Sequence, residues 1–237
     1  MKISLIGNGK MGKEVIKMAL ERGHELVHVF DVDNINEFTA ENLQKTDVVF
    51  EFTQPESAFD NITKCLDAGV PCICGTTGWL DKMEIVKKRC TDEEKTFFYA
   101  SNFSIGVNIL FEINKKLAQL MNNYSNYDVS IEETHHIHKL DAPSGTAIYI
   151  ANQIISEIDR KNSWKLDQAN NKEIKINAVR EDEVPGTHTV IYDSDVDFIE
   201  IKHSAKNRRG LAFGAVLAAE YVQNKKGFFT MQDLLKN

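Results

Sequence analysis

Between residues 133 and 147 the chain reads Glu-Thr-His-His-Ile-His-Lys-Leu-Asp-Ala-Pro-Ser-Gly-Thr-Ala, so His135, His136, His138 and Lys139 fall within five positions. Folding alone does not call for such a cluster. Histidine and lysine are the side chains best suited to giving a proton near neutral pH once their surroundings tune them. Directly afterwards, Ser144-Gly145-Thr146 reads as the opening of a helix, where backbone N–H groups and hydroxyls suit an anion such as a carboxylate. A proton donor beside an anion site implies protonation of a substrate that carries a carboxylate.

The second chemistry-bearing stretch is at the start of the chain. Lys2 to Ile6 reads as a short buried strand and runs into Gly7-Asn8-Gly9-Lys10-Met11-Gly12, after which Val15, Ile16, Ala19 and Leu20 follow a helical period. This is G-x-G-x-x-G in the context it needs, after a strand and opening a helix. A second strand, Glu25 to Phe30, ends at Asp31, about 20 residues past the last glycine, where an acid can accept from a ribose hydroxyl. Strand, helix, second strand and acid in register imply a nicotinamide nucleotide.

Both motifs need a scaffold, and composition bounds it. The chain has 237 residues, 42% hydrophobic and 27% charged, which suits one large or two modest globular domains. A net charge of −7 argues against a nucleic-acid partner, since Lys206-Asn207-Arg208-Arg209 is too short a basic run to offset it. No apolar run approaches a membrane span, and Met1 leads directly into a strand, so neither a membrane partner nor a signal peptide is expected and the location expected is cytoplasmic. Cys65, Cys72, Cys74 and Cys90 lack C-x-x-C spacing and read as small packing residues.

Up to about residue 100, strands and helices alternate: a strand over Asp47 to Phe52, a helix opened by Pro55, a strand over Val70 to Cys74, a helix over Trp79 to Cys90 and a strand over Thr96 to Ala100. Such alternation implies a parallel sheet covered on both faces. The link between the second and third strands is so short that its helix is expected to be short or missing. Past Asn102 the pattern changes to a helix over Val107 to Met121, a strand over Asp128 to Thr134 that delivers the histidines, and a helix from Ser144 to about Ile158. Asp159 to Asn171 reads as a surface loop. Strand-like runs follow at Glu173 to Val179, Thr187 to Tyr192 and Phe198 to His203, giving a mostly antiparallel sheet. A helix over Leu211 to Val222 and a short one after Thr230 close the chain.

These motifs together resemble the dihydrodipicolinate reductase family, also called 4-hydroxy-tetrahydrodipicolinate reductases, of bacterial and plant lysine biosynthesis. The resemblance rests on E-x-H-H-x-H-K-x-D-A-P-S-G-T-A at 133–147, the nucleotide loop ending Gly9-Lys10-Met11-Gly12 and Phe52-Thr53-x-Pro55. It extends through Gly75-Thr76-Thr77-Gly78, Ser101-Asn102-Phe103-Ser104-x-Gly106-Val107-Asn108 and Pro185-Gly186-x-His188-Thr189.

The resemblance implies an α/β fold: a Rossmann-type dinucleotide domain over 1–104, completed by 207–237, and an α+β substrate and tetramerisation domain with an open mixed sheet over 105–206. It implies a homotetramer, with the interdomain crossings at Asn102 to Ser104 and near Arg208 acting as a hinge whose closure excludes water. The implied substrate is a cyclic dicarboxylate, reduced by hydride from NADH or NADPH. His135 matches the family's proton donor and Lys139 the cation that assists it and holds a substrate carboxylate. His136 matches a substrate contact, with Gly145 and Thr146 as the carboxylate cradle. Gly75, Thr76, Thr77, Ser101, Asn102 and Phe103 join the glycine loop and Asp31 as implied nucleotide contacts. His138 is open to either a structural or a participating role.

Two departures from the family pattern bear on the nucleotide. Many members have an extra residue between the first two glycines, whereas this loop is compact. Many also have basic residues where this chain has Val32 and Gln54, and Asp33 adds a further negative charge, so NADH is favoured over NADPH. Two other readings compete. A metal-dependent hydrolase using His135, His136 and His138 is disfavoured because adjacent strand residues point apart and no nearby acid or cysteine evidently completes a set, so no metal is expected. A nucleotide sensor without chemistry would have no need of both His135 and Lys139.

Overall fold

The computed structural model describes residues 1–207 and 209–236. The first half of the chain runs β1 (Lys2–Ile6), α1 (Lys10–Glu21), β2 (Glu25–Phe30), α2 (Ala40–Leu43), β3 (Val48–Glu51), α3 (Pro55–Asp67), β4 (Cys72–Cys74), α4 (Met83–Asp92) and β5 (Thr96–Tyr99). Then come α5 (Ile105–Met121), β6 (Asp128–His135), α6 (Gly145–Glu157), β7 (Ser163–Leu166), β8 (Glu173–Arg180), β9 (Thr187–Asp193) and β10 (Phe198–Ser204). The chain ends with α7 (Arg209–Tyr221), β11 (Gly227–Phe229) and α8 (Met231–Leu235). It divides into two compact units, Met1–Ile105 with Arg209–Asn237, and Gly106–Arg208. The expected crossing at Arg208 falls outside the described residues.

The first unit is a six-stranded parallel sheet of order β11-β5-β4-β3-β1-β2. Because successive strand side chains face opposite ways, its apolar runs fill two cores. Val48, Phe50, Ile73 and Phe98 pack with Val15 and Ala19 of α1 and the alanines of α7. Val49, Cys72, Cys74 and Phe97 pack on the other face with Ile62 and Cys65 of α3 and Val86 of α4. The four cysteines are buried and unpaired by disulfides, in keeping with a packing role. The link from β2 to β3 holds a 3₁₀ segment, Val32–Glu37, and the four-residue α2, as its length required.

The second unit is a five-stranded mixed sheet of order β10-β9-β6-β8-β7. Its core joins Leu110 and Phe111 of α5 and Ile150 and Ile154 of α6 to Val129, Ile131, Ile176 and Val190. Two expectations are corrected here. The sheet is half parallel, since β6 pairs parallel with β8 and β8 with β7, while β6–β9 and β9–β10 are antiparallel. The segment expected to be a loop contains β7, whose Ser-Trp-Lys-Leu run is too short to show a period. A third difference is β11, a three-residue edge strand that sequence reasoning passed over. The helix expected from Trp79 begins as a 3₁₀ turn over Leu80–Lys82, and Trp79 itself is buried, its indole N–H donating to the Thr76 carbonyl at 2.7 Å. Among the described residues no helix is long and apolar enough to cross a membrane.

Candidate active site

Strand β6 carries the histidine site. Val129, Ile131, Glu133 and His135 share its buried face, so a row that begins apolar in the core turns polar at the carboxyl end of the strand. Neighbouring strands bring the rest. Antiparallel pairing sets His188 of β9 opposite Glu133, and parallel pairing sets Arg180 of β8 opposite His135.

Glu133 is the centre of this cluster and is 0% exposed. Its Oε1 accepts the Ser144 backbone N–H at 2.9 Å and an Arg180 Nη2 hydrogen at 3.3 Å. Its Oε2 faces His135 Nδ1 at 3.3 Å and His188 Nε2 at 3.8 Å. Burial alone would push this carboxyl up, but the donors on His135 and Ser144 and the His135 charge outweigh burial and hold it at about 2. His188 is pushed down to about 4 by burial first and by the His135 charge second, against the pull of Glu133. It is therefore a neutral ring near pH 7, with Nε2 3.2 Å from Ser144 Oγ.

The other nitrogen of His135, Nε2, faces Gly186. A Cβ on residue 186 would lie 3.1 Å from it, at a backbone φ of +150°. The space in front of Nε2 exists because residue 186 has no side chain.

Lys139 lies on the loop beyond the strand, its ammonium held by Asp141 at 2.7 and 2.8 Å. That contact is the main reason the Asp141 carboxyl is lowered. Arg180 braces the loop by donating to the carbonyls of Lys139 at 3.3 Å and Asp141 at 2.6 Å. His136 is half-buried, with a buried Nδ1 that has no hydrogen-bond partner among the described residues. His138 is exposed and lies 3.2 Å from Glu183. Ser144 is 3% exposed and committed within the protein: its N–H goes to Glu133, and its Oγ accepts the Ala147 N–H at 3.2 Å as the cap of α6. The accessible start of α6 is therefore Gly145 and Thr146, whose N–H groups precede the intrahelical ladder.

An acid, Glu133, stands beside His135 here, whereas the sequence reading found no acid that evidently completes a ligand set with the three histidines. One ligand-type atom from each of Glu133, His135 and His188 lies within 4.8 Å of the others. The trio differs from the set of His135, His136 and His138 considered from sequence, because His136 and His138 are not in it. The Arg180 guanidinium on the same carboxylate puts a fixed positive charge where a cation's charge would have to be accommodated.

In the first unit the three loop glycines have three different duties. At Gly7, with φ +95°, a Cβ would lie 2.2 Å from the Phe52 carbonyl oxygen, and at Gly12 it would lie 2.2 Å from the Gly7 oxygen. At Gly9, the N-cap of α1, nothing lies within 4 Å of the Cβ position. A tight turn, an open approach and a close helix contact are what a pyrophosphate at a helix N-terminus requires. A cleft of about 660 Å³ adjoins the loop, lined by Gly7, Asn8, Gly9, Asp31, Val32, Phe52, Thr53, Gln54 and, unmarked by sequence reasoning, Ile6, Ile35, Glu56, Ser57 and Asn61. A smaller one of about 240 Å³ is lined by Met11, Phe52, Thr53, Pro55, Gly75, Thr76 and Thr77.

Thr76 holds two of these loops together by accepting the Thr53 N–H at 2.8 Å, and Thr77 is exposed. Lys10 and Gly12 line neither cleft, and nor do Ser101, Asn102 and Phe103. Phe103 is a core residue, 3% exposed and stacked on Phe98, while Asn102 Oδ1 accepts the Ser104 N–H at 2.9 Å. The residues to which sequence reasoning gave no part in the site are Glu133, Arg180, Gly186 and His188. Glu133 was signalled by its two-residue spacing from His135. Arg180 reaches the site only through strand register.

Comparison with known proteins gives a consistent set of likenesses. The family model described as dihydrodipicolinate reductase, N-terminus, matches residues 1–103, and the one described as dihydrodipicolinate reductase, C-terminus, matches 106–235. A 4-hydroxy-tetrahydrodipicolinate reductase of Christiangramia forsetii is 47% identical over 241 residues, covering 100% of this chain and 98% of the relative. One from Thermosipho africanus is 32% identical, covering 100% and 98%. The dipicolinate-bound dihydrodipicolinate reductase from Paenisporosarcina sp. TG-14 superposes with a TM-score of 0.78 at 23% identity, covering 97% of both chains, a likeness of fold.

Proposed function

This chain belongs to the dihydrodipicolinate reductase family, and we propose how its residues share the family's reaction, the reduction of 4-hydroxy-tetrahydrodipicolinate to tetrahydrodipicolinate in diaminopimelate and lysine biosynthesis. It is an oxidoreductase that uses a pyridine nucleotide. A bound reduced nicotinamide supplies hydride. Gly7, Asn8, Gly9 and the start of α1 hold its pyrophosphate, and Asp31 holds the adenosine ribose. The open position at Gly9 supports this, as does the cleft that runs from the loop to Asp31.

His135 gives the proton to the substrate carbon that gains electron density. The observation that carries this role is the buried ring with Glu133 at 3.3 Å behind Nδ1 and the glycine gap in front of Nε2. Such a donor contributes about 10²- to 10⁴-fold. Lys139 exchanges Asp141 for a substrate carboxylate and opposes the growing negative charge. Gly145 and Thr146 offer backbone N–H groups to a carboxylate of the cyclic dicarboxylate, and His136 contributes a further polar contact.

Among the residues lining the larger cleft none is cationic, while Asp31 and Glu56 are acidic, which supports NADH over NADPH. The reading includes a cytoplasmic homotetramer assembled through the open sheet, supported by exposed apolar groups on the edge strand β10, Phe198 and Ile199. The test is oxidation of NADH and of NADPH, followed separately, with substrate generated in situ from pyruvate and aspartate semialdehyde. Absence of turnover with both nucleotides would overturn the reading.

A further inference from the structure

Building on His135 as the proton donor, we propose that Glu133 is its positioning residue: the carboxylate keeps a proton on Nδ1 and directs Nε2, as the donating nitrogen, into the gap beside Gly186. Glu133 Oε2 and His135 Nδ1 are both buried and have no other hydrogen-bond partner among the described residues, and they lie 3.3 Å apart. Buried polar atoms are nearly always partnered, so these two serve each other.

The carboxylate is itself anchored through its other oxygen. Its Oε1 is fixed by the Ser144 N–H at 2.9 Å and by Arg180 at 3.3 Å, which determines where Oε2 points. The charged and titratable groups around the pair include Arg180 on the far oxygen, the neutral ring of His188 beside Oε2, Asp141 close enough to feel the Glu133 charge, and Lys139 and His203 close enough to act on His188. None of them stands between Oε2 and Nδ1.

The proton balance follows from this geometry. The imidazolium carries hydrogens on both nitrogens. The Nε2–H bond breaks, that proton forms the new C–H bond on the substrate carbon bearing the electron pair, and the ring is left neutral with its remaining hydrogen on Nδ1. Glu133 accepts that N–H before and after transfer and stays ionised throughout. A hydrogen bond from the orienting acid sets both the tautomer and the ring angle, and in a serine protease triad an Asp→Asn change at the equivalent place lowers kcat about 10⁴-fold.

The test is Glu133→Gln. Ser144 N–H and Arg180 keep the amide oxygen at the Oε1 place, so the amide NH₂ occupies the Oε2 place and faces Nδ1. Nδ1 must then accept, and the neutral ring carries its hydrogen on Nε2. Nitrogen NMR of ¹⁵N-histidine protein is expected to report the Nδ1–H tautomer for neutral His135 in the wild type and the Nε2–H tautomer in the variant. The variant's kcat is expected to fall roughly 10²-fold or more with NADH affinity unchanged. An Nε2–H tautomer in the wild type, which needs no variant to observe, or a wild-type kcat in Glu133→Gln, would overturn the role of Glu133. If His135→Ala keeps wild-type turnover, the donor assignment falls and the positioning role with it. If His135→Ala is inactive and the wild-type tautomer is Nε2–H, only the inference about Glu133 fails.

Discussion

Both carboxylate oxygens of Asp141 hold the Lys139 ammonium, at 2.7 and 2.8 Å, with the lysine side chain 21% exposed and the aspartate 60%. The acid is therefore the solvent-facing member of the pair. Exposed ion pairs are worth only about 0–1 kcal/mol, so a substrate carboxylate can replace Asp141 at small cost. Arg180 donates to the carbonyls of both residues and would hold them in place during the proposed exchange. Lys139→Ala is expected to raise KM and lower kcat together, each by roughly tenfold, since a hydrogen bond to a charged group contributes about 1.5–3 kcal/mol. Steady-state kinetics with both parameters unchanged would remove Lys139 from the site.

In the proposed mechanism His135 acts on the proton, and it is not among the residues lining the clefts of the glycine loop. His135→Ala is expected to lower kcat by about 10²-fold or more while the dissociation constant for NADH, measured by fluorescence titration, stays at the wild-type value. A matching loss of nucleotide affinity would mean that the substitution disturbs more than proton transfer.

His188 links the site to stability. Its folded-state value of about 4 lies below the ordinary 6.5, so the unfolded chain binds more protons between these values. The stabilisation it contributes is complete above about pH 6.5 and is lost as pH falls toward about 4, a difference on the order of 3 kcal/mol. Glu133, lowered to about 2 from 4.5, adds a loss of the same sign below about pH 4.5. Urea midpoints measured from pH 7 to pH 4 are expected to fall in the wild type and to fall less in His188→Gln. Parallel curves for the two proteins would show that His188 is not held neutral by the fold.

The β-α-β start was legible because hydrophobic period, glycine spacing and the terminal acid all pointed to one local structure. The bounds of β1 and β2 are those read from the residues. The features that local sequence does not reveal are short or non-local. Gly227-Phe228-Phe229 becomes a strand only because β5 offers it an edge. The parallel pairing of β6 with β8, which sets Arg180 against His135, depends on a crossover through α6 that no local pattern records. Glu133 and His188 belong to motifs far apart in sequence and Arg180 to none, and the three meet only in the folded sheet. Ser144 shows the converse: its place before Gly145 suggested an anion contact, whereas the cap of α6 and the anchoring of Glu133 occupy its polar groups.

At the proposed adenosine end, Asp31 Oδ1 already accepts the Val32 N–H at 2.8 Å, and Val32 is 82% exposed. Gln54 and Glu56 line the same cleft, so a 2′-phosphate would meet two carboxylates and no cation among its lining residues. Like charges about 4 Å apart at an effective dielectric near 20 repel by about 4 kcal/mol before solvent and salt reduce it. A quarter of that gives several-fold selectivity. The wild type is expected to have the higher kcat/KM with NADH, the Val32→Arg, Gln54→Arg double variant to shift toward NADPH, and added salt to narrow the wild-type difference. A wild-type preference of tenfold or more for NADPH would overturn the assignment of Asp31.

The glycines of the loop between β1 and α1 offer a way to separate binding from folding. Gly9 has an extended conformation with φ −73° and nothing within 4 Å of its Cβ position, so alanine fits the protein itself without strain. Gly12 has no such room, because its Cβ would meet the Gly7 oxygen at 2.2 Å and Leu5 Cδ2 at 2.9 Å. Overpacking a fitted contact costs about 1–3 kcal/mol. Gly12→Ala is therefore expected to lower the melting temperature by several degrees, while Gly9→Ala keeps the wild-type melting temperature and binds NADH about tenfold or more weakly, a loss of about 1.4 kcal/mol. The reason is that the methyl group added in Gly9→Ala would occupy space a pyrophosphate needs for close approach to the backbone. Calorimetric titration and thermal unfolding of the two variants decide the matter, and unchanged NADH affinity in Gly9→Ala would place the pyrophosphate somewhere other than the start of α1.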